Sequence, residues 1–308
     1  MSSRIHKIGY LGPTGTFTEQ ALLSEDDLAK CELLAFPKFS DVLIATSEGD
    51  TDLGFVAIEN AIEGTVNITL DALAFDHELL IQREVVLDIR LNLMAAPGTT
   101  MSDITAVSSH PVANAQCRAF LHSKLHDVPV NAANATAEAA RQAASTPGLA
   151  AIGPSHAAEQ YGLELLATDI ADHSGNQTRF VLVAPSGVPA PTGHDKTTVV
   201  LSQRADRPGS LVSILEEFSA RTINLSRLSS RPLKHALGHY CFIVDLDGHI
   251  ADDVTADALK NIRAKYADVK FLGSYPTAGE GSSDVRREAN QAWDEADQWL
   301  TNIRSQID

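Results

Sequence analysis

The sequence predicts an α/β fold in two parts followed by a helical tail. Over residues 4–184, short apolar runs alternate with helix-forming segments, the pattern of βα units on a largely parallel sheet. A stretch at 185–196, PSGVPAPTGHDK, carries three prolines within seven positions and interrupts that pattern. Beyond it, residues 197–276 run strand, helix, strand, strand, helix, strand, the βαββαβ order of a ferredoxin-like unit.

The elements follow from local pattern. RIHKIGYL (4–11) reads as a strand and GPTGT (12–16) as a turn. Residues 17–30 read as a helix that Thr16 or Thr18 can cap. CELLAF (31–36) and LGFVAIEN (53–60) are short strands, with a helix at 40–48 between them. VVLDIRLNLMAA (85–96) is a long strand or a bent pair. ITAVSSH (104–110) leads into a helix, PVANAQCRAFLHSKL, with Pro111 suited to its first turn. VPVNAAN, TAEAARQAAS and LAAIGPSHAAEQYG continue as strand, helix, and strand–turn–helix, and FVLVAP closes the part. After the linker come TTVVLSQ, GSLVSILEEFSARTI, NLSRLSSRP, HYCFIVDLDG, TADALKNIRAKYA and VKFLGSYP. In the tail, 284–308, Trp293, Ala296, Leu300, Ile303 and Ile307 share one helix face. That face is expected to pack back on its own chain, with a subunit interface as the alternative.

Composition sets limits. The 308 residues are 44% hydrophobic and 21% charged, ordinary for a soluble protein with a sizeable core. No apolar run approaches the length of a membrane span, and the N-terminus lacks a secretory pattern. Cys31, Cys117 and Cys241 form neither a metal spacing nor a disulfide framework, which suits a reduced, cytoplasmic setting. The formal net charge of −16 argues against nucleic acid and anionic membrane as partners. An anionic ligand would need a locally positive site inside that field.

Four segments sit where a strand ends and a helix or turn begins, the usual place for a ligand in α/β proteins. GPTGTFTEQA (12–21) offers backbone N–H groups in a glycine turn, yet it is neither a dinucleotide fingerprint nor a Walker loop, and a tight turn with an N-cap explains it equally well. AIENAIEGTVN (57–67) brings Glu59, Asn60 and Glu63, or is merely a cap with exposed acids. SSHPVANAQC (108–117) brings His110 and Gln116; a lone His is more often structural, and Cys117 reads as a packed small residue. NQTRF brings Thr178 and Arg179. Together they describe a cleft rich in donors and poor in strong bases.

These motifs, GPTGTFTE (12–19), IENAIEG (58–64), SHPVANAQC (109–117) and TRF (178–180) in this order, resemble prephenate dehydratase. PGSLVSILEEF and NLSRLSSRP resemble the ACT regulatory domain that accompanies that enzyme. The resemblance reaches to about residue 276 and leaves the acidic tail outside. It implies conversion of prephenate to phenylpyruvate, CO₂ and water, without metal or cofactor. It implies a two-lobed catalytic unit similar to type II periplasmic binding proteins over 1–184, with lobes near 1–76 plus 165–184 and 77–164. It further implies an ACT domain at 197–276, allosteric inhibition by L-phenylalanine, and a homodimer or homotetramer. Two positions depart from the family pattern. Ala61 stands where a serine is usual, and Ser229 where a glutamate is usual.

Decarboxylation drives electrons across the ring and expels the 4-hydroxyl, so the enzyme must hold a dianion and assist departure of hydroxide. On this reading Thr178 hydrogen-bonds the leaving hydroxyl, and Glu59, Asn60 and His110 complete the catalytic set. Arg179 and the turn at Thr14, Gly15 and Thr16 hold the carboxylates, alongside Phe17, Gln116 and Phe180. A structural ion pair is the other reading of Arg179, since strand alternation can point it away from the side Thr178 faces. The effector site is expected at Gly209, Ser210, Leu211 and Val212 with Asn224, Leu225, Ser230, Arg231 and Pro232, where Leu211 and Leu228 wall the ring. Arogenate dehydratase and a non-catalytic amino-acid sensor are the alternatives.

Overall fold

The computed structural model describes residues 6–204, 207–233, 240–278, 293, 295–296 and 298–306. It divides into two compact units, residues 1–70 with 85–182 and residues 71–84 with 183–308.

The first unit contains two sheets. β1 (Lys7–Leu11), α1 (Phe17–Leu23), β2 (Glu32–Phe36), α2 (Phe39–Glu48) and β3 (Leu53–Asn60) alternate as expected, with β1 parallel to both β2 and β3. The helix expected over 17–30 ends at Leu23, where the Ser24 hydroxyl donates to the Ala21 carbonyl; Leu28–Lys30 is a separate 3₁₀ turn. A short β4 (Gly64–Thr65) folds back on the end of β3, and α3 (Asn67–Asp71) follows, continuing into a π-helical turn at 72–76.

The run 85–96 resolves as two strands in different sheets. β5 (Leu80–Asp88) is an edge of the first sheet, whereas β6 (Asn92–Ala95) lies in the second. The Asn92 amide donates to the carbonyls of Arg90 and Gly153, fixing the crossing. The lobe boundary expected at residue 77 is therefore misplaced: 80–88 belongs with the first sheet.

The second sheet is built from β6, β7 (Ala106–Ser109), α4 (Pro111–Ala115), α5 (Arg118–Lys124), β8 (Val130–Ala132), α6 (Thr136–Ala143), β9 (Leu149–Gly153), α7 (Ser155–Tyr161) and β10 (Glu164–Ala167). Its strand order is β10-β6-β9-β7-β8. β7 pairs parallel with β8 and β9, whereas β6 pairs antiparallel with both β9 and β10, so this sheet is mixed rather than purely parallel. The single helix expected from Pro111 is broken at Gln116–Cys117. There the Asp172 N–H takes the Gln116 carbonyl, and the Asp172 carboxylate takes the Ala119 N–H. β11 (Gln177–Ala184) returns to the first sheet, giving the order β2-β1-β3-β11-β5.

In the second unit β12 (Asp195–Gln203), α8 (Ser210–Ser219), β13 (Leu225–Pro232), β14 (Tyr240–Asp247), α9 (Asp253–Lys265) and β15 (Ala267–Pro276) form a sheet of order β13-β14-β12-β15. Val199, Leu201, Ile214, Phe218, Val244, Leu246 and Ile262 make its core. β12 begins inside the expected linker because the Asp195 carboxylate collects donors from Thr192 and Gly193 and anchors that turn. The segment 71–84 is bound into this unit. Glu84 and Lys196 form a buried pair at 2.9 Å, Arg231 meets Asp71, and Lys270 reaches the His77 carbonyl. A Cβ on Gly273, whose φ is +139°, would run into the Ile81 backbone.

The described tail residues are mostly helical, and the expected face is unevenly covered, with Trp293 and Leu300 half-buried. Ala296 is exposed, and so is Ile303, at 44%. Trp299 is 63% exposed, while Ile307 lies outside the described residues.

Candidate active site

Within the first unit, elements of both sheets enclose a cavity of about 920 Å³. The first sheet contributes the carboxyl ends of β1, β2 and β3 and the opening residues of β11. The second contributes the start of α4 and the turn into α6. Most of the wall is apolar: Phe17, Phe36, Phe39, Ile68, Leu91 and Phe180 all line it. Phe180 is held by stacking on Phe55, with ring centroids 5.2 Å apart.

On this apolar wall sits one connected polar group. Asn60 ends β3, and its Oδ1 accepts the N–H groups of Ile62 (3.0 Å) and Glu63 (2.9 Å). Backbone N–H groups only donate, so the amide orientation is fixed and Nδ2 must point the other way. There Nδ2 lies 2.8 Å from Thr178 Oγ1, 2.9 Å from Asn176 Oδ1 and 3.2 Å from the Gln177 carbonyl. The direction propagates: Asn176 Nδ2 donates to Gln116 Oε1 at 3.0 Å, and Gln116 Nε2 points at Glu63 Oε1 at 3.4 Å. Thr178 is thus an acceptor toward Asn60, which leaves its own proton available to a ligand. Thr178 is buried, and Asn176 is 4% exposed.

The glycine turn behaves differently from expectation. Thr16 caps α1 and lines the cavity with Phe17, but Thr14 and Gly15 are not among the lining residues. The Gly15 N–H donates to Glu19 Oε2 at 2.5 Å, so it is not offered to a ligand. Glu19 also accepts from the Tyr10 hydroxyl (2.8 Å) and meets His156 Nε2 (2.9 Å), while the Tyr161 hydroxyl donates to the Thr14 carbonyl (2.8 Å). The turn is therefore held from both sheets. Gly15 must be glycine there: its φ is +85°, and a Cβ would stand 3.0 Å from the Tyr161 ring.

Arg179 and Glu59 also fall elsewhere. Thr178 and Phe180 share one face of β11; Arg179, between them, takes the other and does not line the cavity. Its Nε lies 3.5 Å from Glu59 Oε2, and Glu59 is likewise absent from the lining. The alternation that points Arg179 away from the side Thr178 faces is the one realised. His110 does line the cavity, with its Nδ1 accepting the Val112 N–H at the start of α4. Cys117 is fully buried, and desolvation, with help from nearby Asp172, pushes its thiol up to about 12, which excludes it as a nucleophile.

The residues expected to bind an effector lie on two elements of the second unit. Gly209, with φ +88°, precedes the first turn of α8, formed by Ser210, Leu211 and Val212. Asn224 donates to Asp247 at 2.9 Å beside edge strand β13, which carries Leu225, Ser230, Arg231 and Pro232. Arg231 is not simply open to a ligand: it forms a fork on Asp71, at 2.8 and 2.9 Å. Among the described residues no group of His, Cys, Asp or Glu is arranged to hold a metal, and no helix is long and apolar enough to cross a membrane.

Asn176 and Lys38 are among the cavity residues that the sequence does not mark as part of a site. Asn176 has a signal in NQTRF, as a turn-forming residue two positions ahead of Thr178. Lys38, at the start of α2, had none beyond following a strand.

Comparison with known proteins then narrows the chemistry. The family model described as prephenate dehydratase matches residues 8–187. A prephenate dehydratase of Mycolicibacterium vanbaalenii is 40% identical over 311 residues, covering 96% of this chain and 98% of that relative. That span enters the tail, so the similarity does not stop near 276. The crystal structure of prephenate dehydratase in complex with L-Phe from Arthrobacter aurescens superposes with a TM-score of 0.87 at 39% identity, covering 97% of this chain and 99% of that one. A structure described as GqqA, a novel type of quorum quenching acylase, gives a TM-score of 0.78 at 25% identity, covering 88% and 98%. Acyl transfer needs a nucleophile beside a base. Among the described residues, the side chain hydrogen-bonded to the Thr178 hydroxyl is the Asn60 amide, a donor and not a base.

Proposed function

Because this chain belongs to the prephenate dehydratase family, converting prephenate to phenylpyruvate, CO₂ and water, we propose that the Thr178 hydroxyl assists departure of the ring hydroxyl and that the cavity around it is the active site. The observation that carries this is the Asn60–Thr178 hydrogen bond, whose direction is fixed by two backbone donors. With its lone pair engaged by an amide N–H, the threonine donates its proton outward, and the amide polarises that O–H bond.

The chemistry asks for little more. As the C–C bond to the ring carboxylate breaks, its electron pair moves through the diene and the C4–O bond breaks, with the developing hydroxide stabilised by the donated hydrogen bond. Aromatisation supplies the driving force. The phenyl and aliphatic walls exclude water around the ring, which strengthens that hydrogen bond and favours loss of a charged carboxylate as neutral CO₂. Asn176 and Gln116 keep the Asn60 amide from turning over. His110, at the start of α4, lines the same cavity. Ala61 has no hydroxyl to offer, and its N–H is spent on the Gln177 carbonyl at 2.8 Å, consistent with a structural rather than chemical part for that position.

We further read the βαββαβ sheet as a ferredoxin-like ACT domain binding L-phenylalanine through the first turn of α8 and strand β13. Its strand order and the phenylalanine complex of the Arthrobacter relative support that reading. Phenylalanine inhibits by binding the less active state more tightly. We also place the chain in the cytoplasm as a homodimer or homotetramer, in keeping with its three free cysteines and exposed edge strand β13. Incubation with prephenate, followed by phenylpyruvate absorbance with and without phenylalanine and in parallel with arogenate, tests the whole reading. It expects prephenate turnover that phenylalanine lowers; turnover confined to arogenate would move the chain to arogenate dehydratase.

A further inference from the structure

Prephenate carries two carboxylates, and the enzyme around it carries a formal charge of −16. Four ionisable side chains line the cavity: Lys38, Glu63, Glu138 and His110. Glu63 and Glu138 are acids, the first facing the Gln116 amide and the second accepting the Asn134 N–H. His110 turns its Nδ1 back toward the Val112 N–H, at 3.4 Å, at the start of α4. Arg179 lies on the far face of β11 with Glu59. Lys38 is the one lysine or arginine among the described lining residues.

Its place in the sheet says which carboxylate it meets. Lys38 stands just past the carboxyl end of β2, two residues after Phe36, and Thr178 is at the start of β11. The sheet order β2-β1-β3-β11 puts three strand spacings between them. At ~4.8 Å per spacing that is about 14 Å. A lysine stem covers part of this span, and the remainder is of the order of the distance in prephenate from the ring 4-hydroxyl to the carboxylate of the three-carbon side chain. The ring carboxylate, which leaves as CO₂, is left beside the apolar wall. That division suits the chemistry: an ion pair on the departing carboxylate would be lost in the transition state, whereas one on the side-chain carboxylate persists through the reaction.

We propose that Lys38 is the substrate-binding cation of this active site and pairs with the side-chain carboxylate of prephenate. The inference rests on the cavity being the prephenate site, which wild-type turnover of prephenate tests separately. Contact that is equal in ground and transition states sets KM, not kcat. Lys38 is exposed and makes no side-chain cap at the start of α2, so replacing it leaves the fold intact.

The experiment measures steady-state prephenate kinetics and competitive inhibition by phenylpyruvate for wild type, Lys38→Met, Lys38→Glu and Lys38→Arg. Phenylpyruvate retains the side-chain carboxylate and lacks the ring carboxylate, so it reports on one group alone. Lys38→Met is expected to raise KM about tenfold, the loss of one charge-assisted hydrogen bond, with kcat within about twofold. Lys38→Glu raises it further, and Lys38→Arg restores most of the affinity. The Met-to-wild-type KM ratio shrinks between about 20 mM and about 300 mM salt, as screening removes the attraction from the wild type. The inhibition constant for phenylpyruvate rises in step with KM. Unchanged KM in both the Met and Glu variants overturns the proposal. So does a loss of kcat alone, or a rise in KM with no change for phenylpyruvate, which would move Lys38 to the ring carboxylate.

Discussion

Replacing Asn60 by aspartate changes one NH₂ group to oxygen, yet the structure assigns it a large effect. The retained Oδ1 still accepts the N–H groups of Ile62 and Glu63, so the turn after β3 is kept. The other oxygen replaces the donor 2.8 Å from Thr178 Oγ1. A carboxylate there accepts the threonine proton and turns it away from the cavity. The leaving hydroxide then loses its donor, a loss of about 3 kcal/mol of transition-state stabilisation, or about 10² in kcat. The added negative charge also repels the substrate dianion and raises KM. Phenylpyruvate formation under saturating prephenate is the assay, with a thermal melt to show that the variant is folded. In a Thr178→Val background the same change has little further effect on kcat, because the proton it diverts is already gone. A kcat within threefold of wild type, or fully additive losses in the double variant, would refute the assignment.

Other expectations follow from the same geometry. Arg179→Lys, on the far face of β11, should leave KM for prephenate within about twofold, whereas a carboxylate clamp would lose its fork and raise it about tenfold. Glu84→Ala strands Lys196 in the second unit and should destabilise it by about 3–5 kcal/mol, read as a lower melting temperature. Asp71→Asn should weaken the fork from Arg231 and shift the midpoint of phenylalanine inhibition at least fivefold, measured as an inhibition curve, while uninhibited turnover is retained. Alkaline unfolding should steepen through the buried thiols. Burial raises Cys117 from 9.0 to about 12 and Cys241 from 9.0 to about 11, so the unfolded chain releases these protons first. Stability is full below about pH 9 and declines above it, by about 1.4 kcal/mol per pH unit for each such thiol until its folded value is reached; urea midpoints across that range check the slope, and Cys117→Ala should flatten it.

What the sequence disclosed and what it concealed divide along physical lines. The strand–turn–helix order and the positions of Asn60, His110, Gln116 and Thr178 at strand or helix ends follow from local periodicity and turn chemistry. Orientation does not. Whether Arg179 or Thr178 faces the cavity is a matter of register in a sheet whose neighbours come from distant sequence, and the GPTGT turn reads as an anion loop until Glu19 is seen taking the Gly15 N–H. The break of 85–96 between two sheets is equally silent, since both halves carry the same apolar pattern. Lys38 follows a strand like many surface lysines; only the enclosure of the cavity separates it from them.

The most direct test of the central claim compares prephenate turnover by wild type and Thr178→Val. Valine keeps the branched shape and the packing of a residue that is 9% exposed, and removes only the hydroxyl. The geometry predicts phenylpyruvate formation about 10² slower at saturating substrate, with KM within about threefold of wild type. Equal turnover by the two proteins would contradict it and remove Thr178 from the reaction.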